Sequence, residues 1–239
     1  MSPYPLHTIL FLDIETVSQY PDFSAVPEDW QELWRHKAEN LNREKALATP
    51  EELYGRAAIY AEFGKVICIS CGVLSGPPAE RKLSLKSFYG DDEKEILQQL
   101  YEMLHKWSSE GQKYLCAHNG KDFDFPYLCR RMVIHGMRIP SVLNLSGKKP
   151  WEVPHIDTME LWKFGEYKNY ISLNLLAHTL GVPTPKDDID GSQVGTVYWT
   201  ERDLQRIVTY CQKDVVTVAQ VYLRIHGETL IRPENICIK

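Results

Sequence analysis

The sequence predicts an α/β fold, because short apolar segments rich in β-forming residues alternate with segments of helical periodicity. The first strand signal is the apolar run at 8–13, T-I-L-F-L-D, which is typical of a strand buried on both faces. A helical pattern begins at Asp91, after two further strand signals. With 239 residues, 44% of them hydrophobic, the chain is long enough to bury a large core.

The remaining elements follow from the same patterns. Strands are predicted at 65–74, 82–88 and 114–117. No repeat, low-complexity tract or linker divides the chain, so we expect a single domain over residues 1–239. Apolar spacing and capping residues predict helices over 91–107, 126–135, 157–163, 172–180 and 200–226.

One segment does not fit this alternation. Residues 30–56 have apolar side chains at helical spacing and mixed charge, which predicts an amphipathic helical insertion at about 24–60, after the first strand. We expect Trp30 and Trp34 to pack the insertion onto the core, although the insertion could also contact a protein partner. A surface loop is predicted at 187–195, which contains two Gly and three Asp.

Charge and cysteine usage exclude several classes of protein. The net charge of −5 argues against a protein that coats long stretches of duplex, since such proteins carry an extended basic face. Six Cys without disulfide-scaffold spacing indicate a reducing, cytoplasmic environment. Cys68 and Cys71 are three apart in a predicted strand and so point to opposite faces, which argues against a metal site there. No apolar run approaches the roughly 20 residues of a membrane span, so we expect a soluble protein.

The first candidate functional motif is at the end of the first strand. Asp13 and Glu15 are two residues apart and therefore project from the same face. Two carboxylates at one strand end can bind divalent cations of the kind that stabilise charge during phosphodiester hydrolysis. Taken alone, Asp-x-Glu is a weak signal, and a solvated strand end explains it equally well.

A second candidate motif is Y-C-Q-K-D at 210–214. Tyr210 and Asp214 are four apart in a helical pattern, so one helix face presents a phenol and a carboxylate together. The alternative is an ordinary helix with a core tyrosine and a surface aspartate.

A third motif lies between these two, in N-G-K-D-F-D-F-P-Y-L at 119–128. A strand end here gives way to a helix predicted to begin at Pro126, which leaves Asp124 at the start of the helix. Helix capping is the alternative role for this aspartate.

The three motifs F-L-D-I-E-T, N-G-K-D-F-D-F-P-Y-L and Y-C-Q-K-D, in this order, resemble the DEDD superfamily of 3′-5′ exonucleases in its tyrosine-bearing subclass. The resemblance extends from about Thr8 to Leu223. It is strongest to the exonuclease domain of family B DNA polymerases and to stand-alone bacterial proteins predicted to be polymerase-B-like exonucleases. The fold it implies is ribonuclease-H-like, a mixed five-stranded sheet with helices on both faces.

The resemblance also implies roles for individual residues. Two divalent cations, Mg²⁺ or Mn²⁺, would be bound by an acidic quartet, and Tyr210 would orient the attacking water. Asn119 and Phe123 match positions that seat the terminal nucleotide. We expect Asp157, followed by Glu160 in a capping-box pattern, to cap a helix and not to be the third acid. The quartet is Asp13, Glu15, Asp124 and Asp214.

The expected substrate is a single-stranded 3′ end, with DNA favoured over RNA. An exoribonuclease of the same superfamily remains an alternative, because the metal chemistry does not distinguish the sugars. A catalytically idle nucleic-acid-binding module is a second alternative, and a structural protein that binds a partner through the insertion is a third. Because no polymerase segment follows Lys239, we expect the enzyme to find its own ends or to be delivered by a partner.

Overall fold

The computed structural model describes residues 2–42, 48–168, 170–183 and 189–239. Its centre is one mixed sheet of six strands in the order β5-β4-β1-β2-β3-β6. β1 pairs antiparallel with β2 and parallel with β4. The strands are β1 (Ile9–Ser18), β2 (Gly64–Ser75), β3 (Lys82–Tyr89), β4 (Tyr114–Ala117), β5 (Ile156–Asp157) and β6 (Ile236–Ile238).

Helices cover both faces of the sheet, as the sequence predicted. They are α1 (Glu28–Asn42), α2 (Pro50–Leu53), α3 (Glu93–Trp107), α4 (Asp124–Ile134), α5 (Thr158–Lys163), α6 (Leu173–Thr179), α7 (Val194–Thr196) and α8 (Leu204–Ile225).

Successive side chains of β1 point to opposite faces of the sheet and pack against different helices. Leu10 and Leu12 pack in an apolar cluster with residues of α3 and α4. Ile9 and Phe11 pack with residues of α8 on the opposite face. The first half of β1 is therefore buried on both sides, which explains the apolar run at 9–12.

The sheet has six strands, whereas the resemblance implied five and the sequence patterns located four, which did not include the two-residue β5 or β6. The additional strand β6 is three residues long and pairs in parallel with Leu83–Leu85 of β3. So short a segment has no measurable periodicity, and its strand conformation depends on a partner that is distant in sequence.

The predicted insertion is helical and has an apolar cluster of its own. Trp34 is fully buried at its centre, packed edge-on against Tyr54 and Phe63, whereas Trp30 is 39% exposed. The side chains clustered around Trp34 all come from residues 20–63, so Trp34 packs within the insertion and its flanks, whereas we predicted that it would pack the insertion onto the core. Trp30 contacts the same cluster through an edge-on contact with Phe63. Residues 43–47 of the insertion lie outside the described part of the chain.

Several boundaries differ from those predicted. α4 begins at Asp124 and not at Pro126, because proline is tolerated in the first turn, where its missing amide has no partner to lose. α8 begins at Leu204 and not at 200, after a π-helical turn over Val197–Glu201. Part of the loop predicted at 187–195 falls outside the described residues, and its end forms α7.

Cys68 and Cys71 lie in apolar clusters on opposite faces of the sheet, as strand alternation predicted. Among the helices that the structure describes, none is both long enough and apolar enough to cross a membrane.

Candidate active site

Two acidic residues interrupt the row of β1 side chains that faces α8. Ile9 and Phe11 at one end of this row and Val17 at the other belong to separate apolar clusters. Asp13 and Glu15 lie between these clusters in the same row. Glu15 is only 7% exposed, because apolar packing on either side shields its carboxylate from water, whereas Asp13 is partly exposed.

The pairing of β1 with β2 is irregular at this point. Glu15 pairs with Cys68, whereas the next residue, Thr16, pairs with Val66, so the register shifts between them. Irregularities of this kind bend a strand and redirect its side chains, and they are common beside active sites.

α8 contributes the second pair of functional side chains. Tyr210 and Asp214 are one turn apart, and the Tyr210 hydroxyl forms a hydrogen bond with the Asp214 carboxylate. Burial raises the pKa of Tyr210, and the negative charges of Asp214, Glu15 and Asp13 raise it further. The phenol therefore stays protonated, and its O–H group donates the hydrogen bond to the Asp214 carboxylate.

Asp124 reaches the site from the first turn of α4. β4 pairs with β1 only as far as Phe11, and the Asp124 carboxylate accepts a hydrogen bond from the Ile14 amide further along β1. Burial raises the pKa of Asp124 to about 7, and the charges of Asp157 and Asp214 act in the same direction. Hydrogen bonds from backbone amides oppose these effects.

The four predicted acids lie close enough to one another for their charges to interact. The pKa of Asp13 is raised well above its usual value. Burial makes the largest contribution, and the charges of Asp214, Glu15 and Asp124 add to it. Burial and the charge of Asp214 likewise raise the pKa of Glu15. Carboxylates this close repel one another when ionised, so the cluster is a costly arrangement without a positive partner.

The donor set suits divalent cations. The Oδ2 atom of Asp13 is buried and has no hydrogen-bond partner among the described residues. Ligand atoms of Asp13, Glu15 and Cys211 all lie within 4.8 Å of one another. A buried carboxylate oxygen without a donor is the kind of atom that a cation would satisfy, and hard oxygen ligands are those that Mg²⁺ and Mn²⁺ prefer.

Sequence reasoning missed Cys211 in this site. Its thiol donates to the backbone carbonyl of Asp13 at 3.5 Å and also forms a hydrogen bond with Cys68. Burial raises the pKa of the Cys211 thiol well above its usual value, so it remains a neutral thiol. Its position three residues before Asp214, on the same side of a helix, is the signal that could have revealed it.

Asp157 is a helix cap, as expected. Its carboxylate accepts from the amides of Met159 and Glu160 at the start of α5. The same carboxylate accepts from the amides of Asn119 at 2.9 Å and Lys121 at 3.1 Å. Asp157 therefore holds the turn that leads into α4.

The two predicted substrate-binding residues flank this turn. Asn119 has a left-handed backbone, with φ of 62°, which is uncommon outside glycine. Phe123 directly precedes Asp124, is partly exposed, and packs against Tyr127 with ring centroids 5.3 Å apart. Both residues are thus close in the chain to the third acid.

Comparison with known families matches residues 59–230 to a family described as "Predicted 3'-5' exonuclease related to the exonuclease domain of PolB". The matched residues include the second and third motifs, whereas Asp13 and Glu15 precede them. A search of curated proteins gave no significant match.

Among solved structures, the family B DNA polymerase from the hyperthermophilic archaeon Pyrobaculum calidifontis is similar in fold, with a TM-score of 0.50 at 15% sequence identity. The similarity covers 92% of this chain but only 25% of the polymerase chain. At this identity the comparison concerns the fold alone, and it agrees with the ribonuclease-H-like architecture expected from the sequence.

The family match covers more than half of the chain, and the fold agrees with it. The chain therefore belongs to the family of predicted 3′-5′ exonucleases related to the exonuclease domain of PolB.

Proposed function

We propose that the protein is a metal-dependent 3′-5′ exonuclease that hydrolyses single-stranded DNA ends to nucleoside 5′-monophosphates. In this proposal Asp13, Glu15, Asp124 and Asp214 bind two divalent cations, Mg²⁺ or Mn²⁺. The observation that carries it is a buried Asp13 oxygen that has no hydrogen-bond donor among the described residues, in a carboxyl whose pKa is raised by burial and by the charges of the other three acids.

The raised pKa values of these acids support a cation site. Three of them, Asp13, Glu15 and Asp124, are harder to ionise than ordinary carboxylic acids, because they are buried and close to one another. Bound cations would offset both costs, so metal binding should be coupled to deprotonation. When bound, the two ions would supply charge stabilisation for both the attacking and the leaving oxygen.

Tyr210 is proposed to orient the attacking water. Its pKa is raised, and so it cannot act as a general base near neutral pH. Because its hydroxyl already bonds to Asp214, it is fixed in place beside the cluster. Tyr210 therefore contributes by positioning the attacking water and not by accepting a proton from it.

Asn119 and Phe123 are proposed to seat the terminal nucleotide. The left-handed turn at Asn119 is fixed by the hydrogen bond from its amide to Asp157, which leaves its side-chain amide for a ligand. Phe123 is partly exposed, and an aromatic ring can stack on any base.

DNA is the preferred substrate because the family is related to the exonuclease domain of a DNA polymerase. We further propose that residues 1–239 act as one exonuclease domain. Leu33 of the insertion is 53% exposed and lies one turn from partly exposed Trp30, so this helix face is the proposed contact for a protein partner.

The test is incubation of purified protein with 5′-labelled single-stranded DNA or RNA, in Mg²⁺, Mn²⁺ or EDTA. We expect a ladder of successively shorter labelled DNA products, which appears only with a metal ion. Asp13→Ala should remove the ladder, whereas Asp122→Asn, at an exposed position in the second motif, should retain it. Release of the labelled 5′ nucleotide, or no cleavage in any metal, would contradict the proposal.

A further inference from the structure

A pocket of about 610 Å³ is lined by Thr16, the residue that follows Glu15 in β1. The 3-10 turn Tyr54–Ile59, at the end of the insertion, forms one wall. Residues 191–200, around α7 and the π-helical turn, form the other. A pocket of this size is within the range of sites that bind small molecules, roughly 300–1,000 Å³.

Hydrogen bonds fix this pocket relative to the carboxylates. The Tyr127 hydroxyl, on the helix that begins with Asp124, donates to the Ala58 carbonyl of the insertion at 2.8 Å and is also bonded to the Thr16 side chain. Gly64 lies so close to this hydroxyl that any side chain there would collide with it. The insertion wall, β1 and α4 are thus joined at one point.

The pocket is lined by Trp199, whose indole N–H is unusual. Its Nε1 atom is buried and has no hydrogen-bond partner among the described residues. By contrast, the indole N–H of Trp34 donates to the Pro50 carbonyl at 2.7 Å. Buried donors are nearly always paired, so an unpaired one next to a pocket suggests that a ligand supplies the acceptor.

The indole ring is held in place by its neighbours. The Lys65 ammonium lies 5.0 Å and the Arg202 guanidinium 5.5 Å from the ring centroid. The adjacent Tyr198 hydroxyl donates to Asp91 at 2.7 Å and accepts from Lys65 at 2.9 Å. Two cations thus lie close to the ring of Trp199, and the unpaired N–H is the one polar group of this side chain that a ligand could satisfy.

The remaining lining favours a ligand with anionic and acceptor oxygens. Arg56 is exposed and forms no ion pair among the described residues. No acidic side chain is among the described residues that line the pocket, although the whole chain has a net charge of −5. The other polar side chains that line the pocket carry hydroxyl groups; they are Thr16, Ser18, Ser192, Thr196 and Thr200.

We propose that this pocket binds one nucleotide unit of the substrate strand, with its phosphate at Arg56 and an acceptor oxygen of the same unit at the Trp199 indole N–H. The inference rests on the proposed exonuclease function and gives the insertion a role in substrate binding. Neither contact distinguishes one base from another by a donor and acceptor pattern, so binding is tolerant of sequence.

The test measures binding of a 5′-fluorescein-labelled single-stranded DNA of 12 nucleotides by fluorescence anisotropy, in Ca²⁺ at several salt concentrations. Trp199→Phe keeps the ring and removes the N–H, and it should raise Kd about three- to ten-fold, the value of one hydrogen bond. Arg56→Ala should raise Kd by a similar factor and reduce the slope of log K against log salt by about 0.7.

Two matched variants serve as controls. Trp34→Phe removes a satisfied indole hydrogen bond, so it should lower Tm and leave Kd within two-fold of wild type. Trp199→Phe removes an unsatisfied donor, and it should therefore cost less in Tm than Trp34→Phe. Arg138→Ala removes an exposed charge outside the pocket and should change neither Kd nor the salt slope.

If wild type binds and shortens DNA while Trp199→Phe and Arg56→Ala bind as tightly as wild type, the pocket is not a nucleotide site and the proposed function stands. If wild type neither binds nor shortens any strand, the proposed function itself fails, and this inference fails with it.

Discussion

Removing the charge of Asp124 should stabilise the metal-free protein at alkaline pH. The pKa of this acid rises from 3.8 to about 7 in the folded protein, so the metal-free protein loses stability as pH rises from about 4 to about 7. A shift of that size corresponds to about 4 kcal/mol at pH 8. The side-chain oxygen of asparagine accepts the hydrogen bond from the Ile14 amide less strongly than a carboxylate does. This weaker bond offsets about 1 kcal/mol of the gain in stability.

We therefore expect Asp124→Asn to gain about 3 kcal/mol over wild type in EDTA at pH 8, or about 6–12 °C in Tm for a chain of this size. Near pH 4 the carboxyl is protonated in the folded protein and about half protonated in the unfolded protein, so almost all of the gain should vanish there. Thermal unfolding followed by circular dichroism at both pH values measures the difference. Asp122→Asn, at an exposed position two residues away, should show no such pH dependence.

The reasoning would be refuted if Asp124→Asn lowered Tm equally at pH 4 and pH 8. That result would mean that the carboxylate is a net stabilising acceptor for backbone amides and that repulsion within the cluster is negligible.

Three further predictions concern the other members of the site. Mg²⁺, Mn²⁺ and Ca²⁺ should each raise the Tm of wild type but not that of Asp13→Ala, and Ca²⁺ should not support turnover; an unchanged wild-type Tm in all three would contradict a cation site. Tyr210→Phe should lower kcat by roughly ten- to a thousand-fold with DNA affinity little changed, whereas Asp214→Ala should also lose metal affinity in calorimetric titrations. Asp157→Asn should lower Tm through weaker hydrogen bonds to four backbone amides but keep metal-dependent cleavage; loss of cleavage in a folded variant would make it a functional acid.

Two pairings of functional side chains could be predicted, because each depends on the regular geometry of one strand or one helix. Asp13 and Glu15 share a strand face, and Tyr210 and Asp214 share a helix face, so each pair follows from spacing alone. That the pairs meet depends on the packing of α8 against β1, and for this the sequence supplied only a resemblance.

Features that depend on tertiary contacts were not predictable. β6 is a strand only because Leu83–Leu85 pair with it. The π-helical turn before α8 ends at Arg202 with φ of 57°, a left-handed conformation that residue propensities do not favour outside glycine, Asn and Asp. Trp199 and Arg56 face one pocket because the insertion folds back onto β1, which spacing along the chain does not reveal.

The central claim is that the acids of β1, α4 and α8 form one cation site, and anomalous diffraction from crystals soaked in Mn²⁺ tests it most directly. The account predicts two manganese peaks about 3.5–4 Å apart, with carboxylate oxygens of Asp13, Glu15, Asp124 and Asp214 as their protein ligands. Peaks elsewhere on the molecule, with none between β1 and α8, would contradict it.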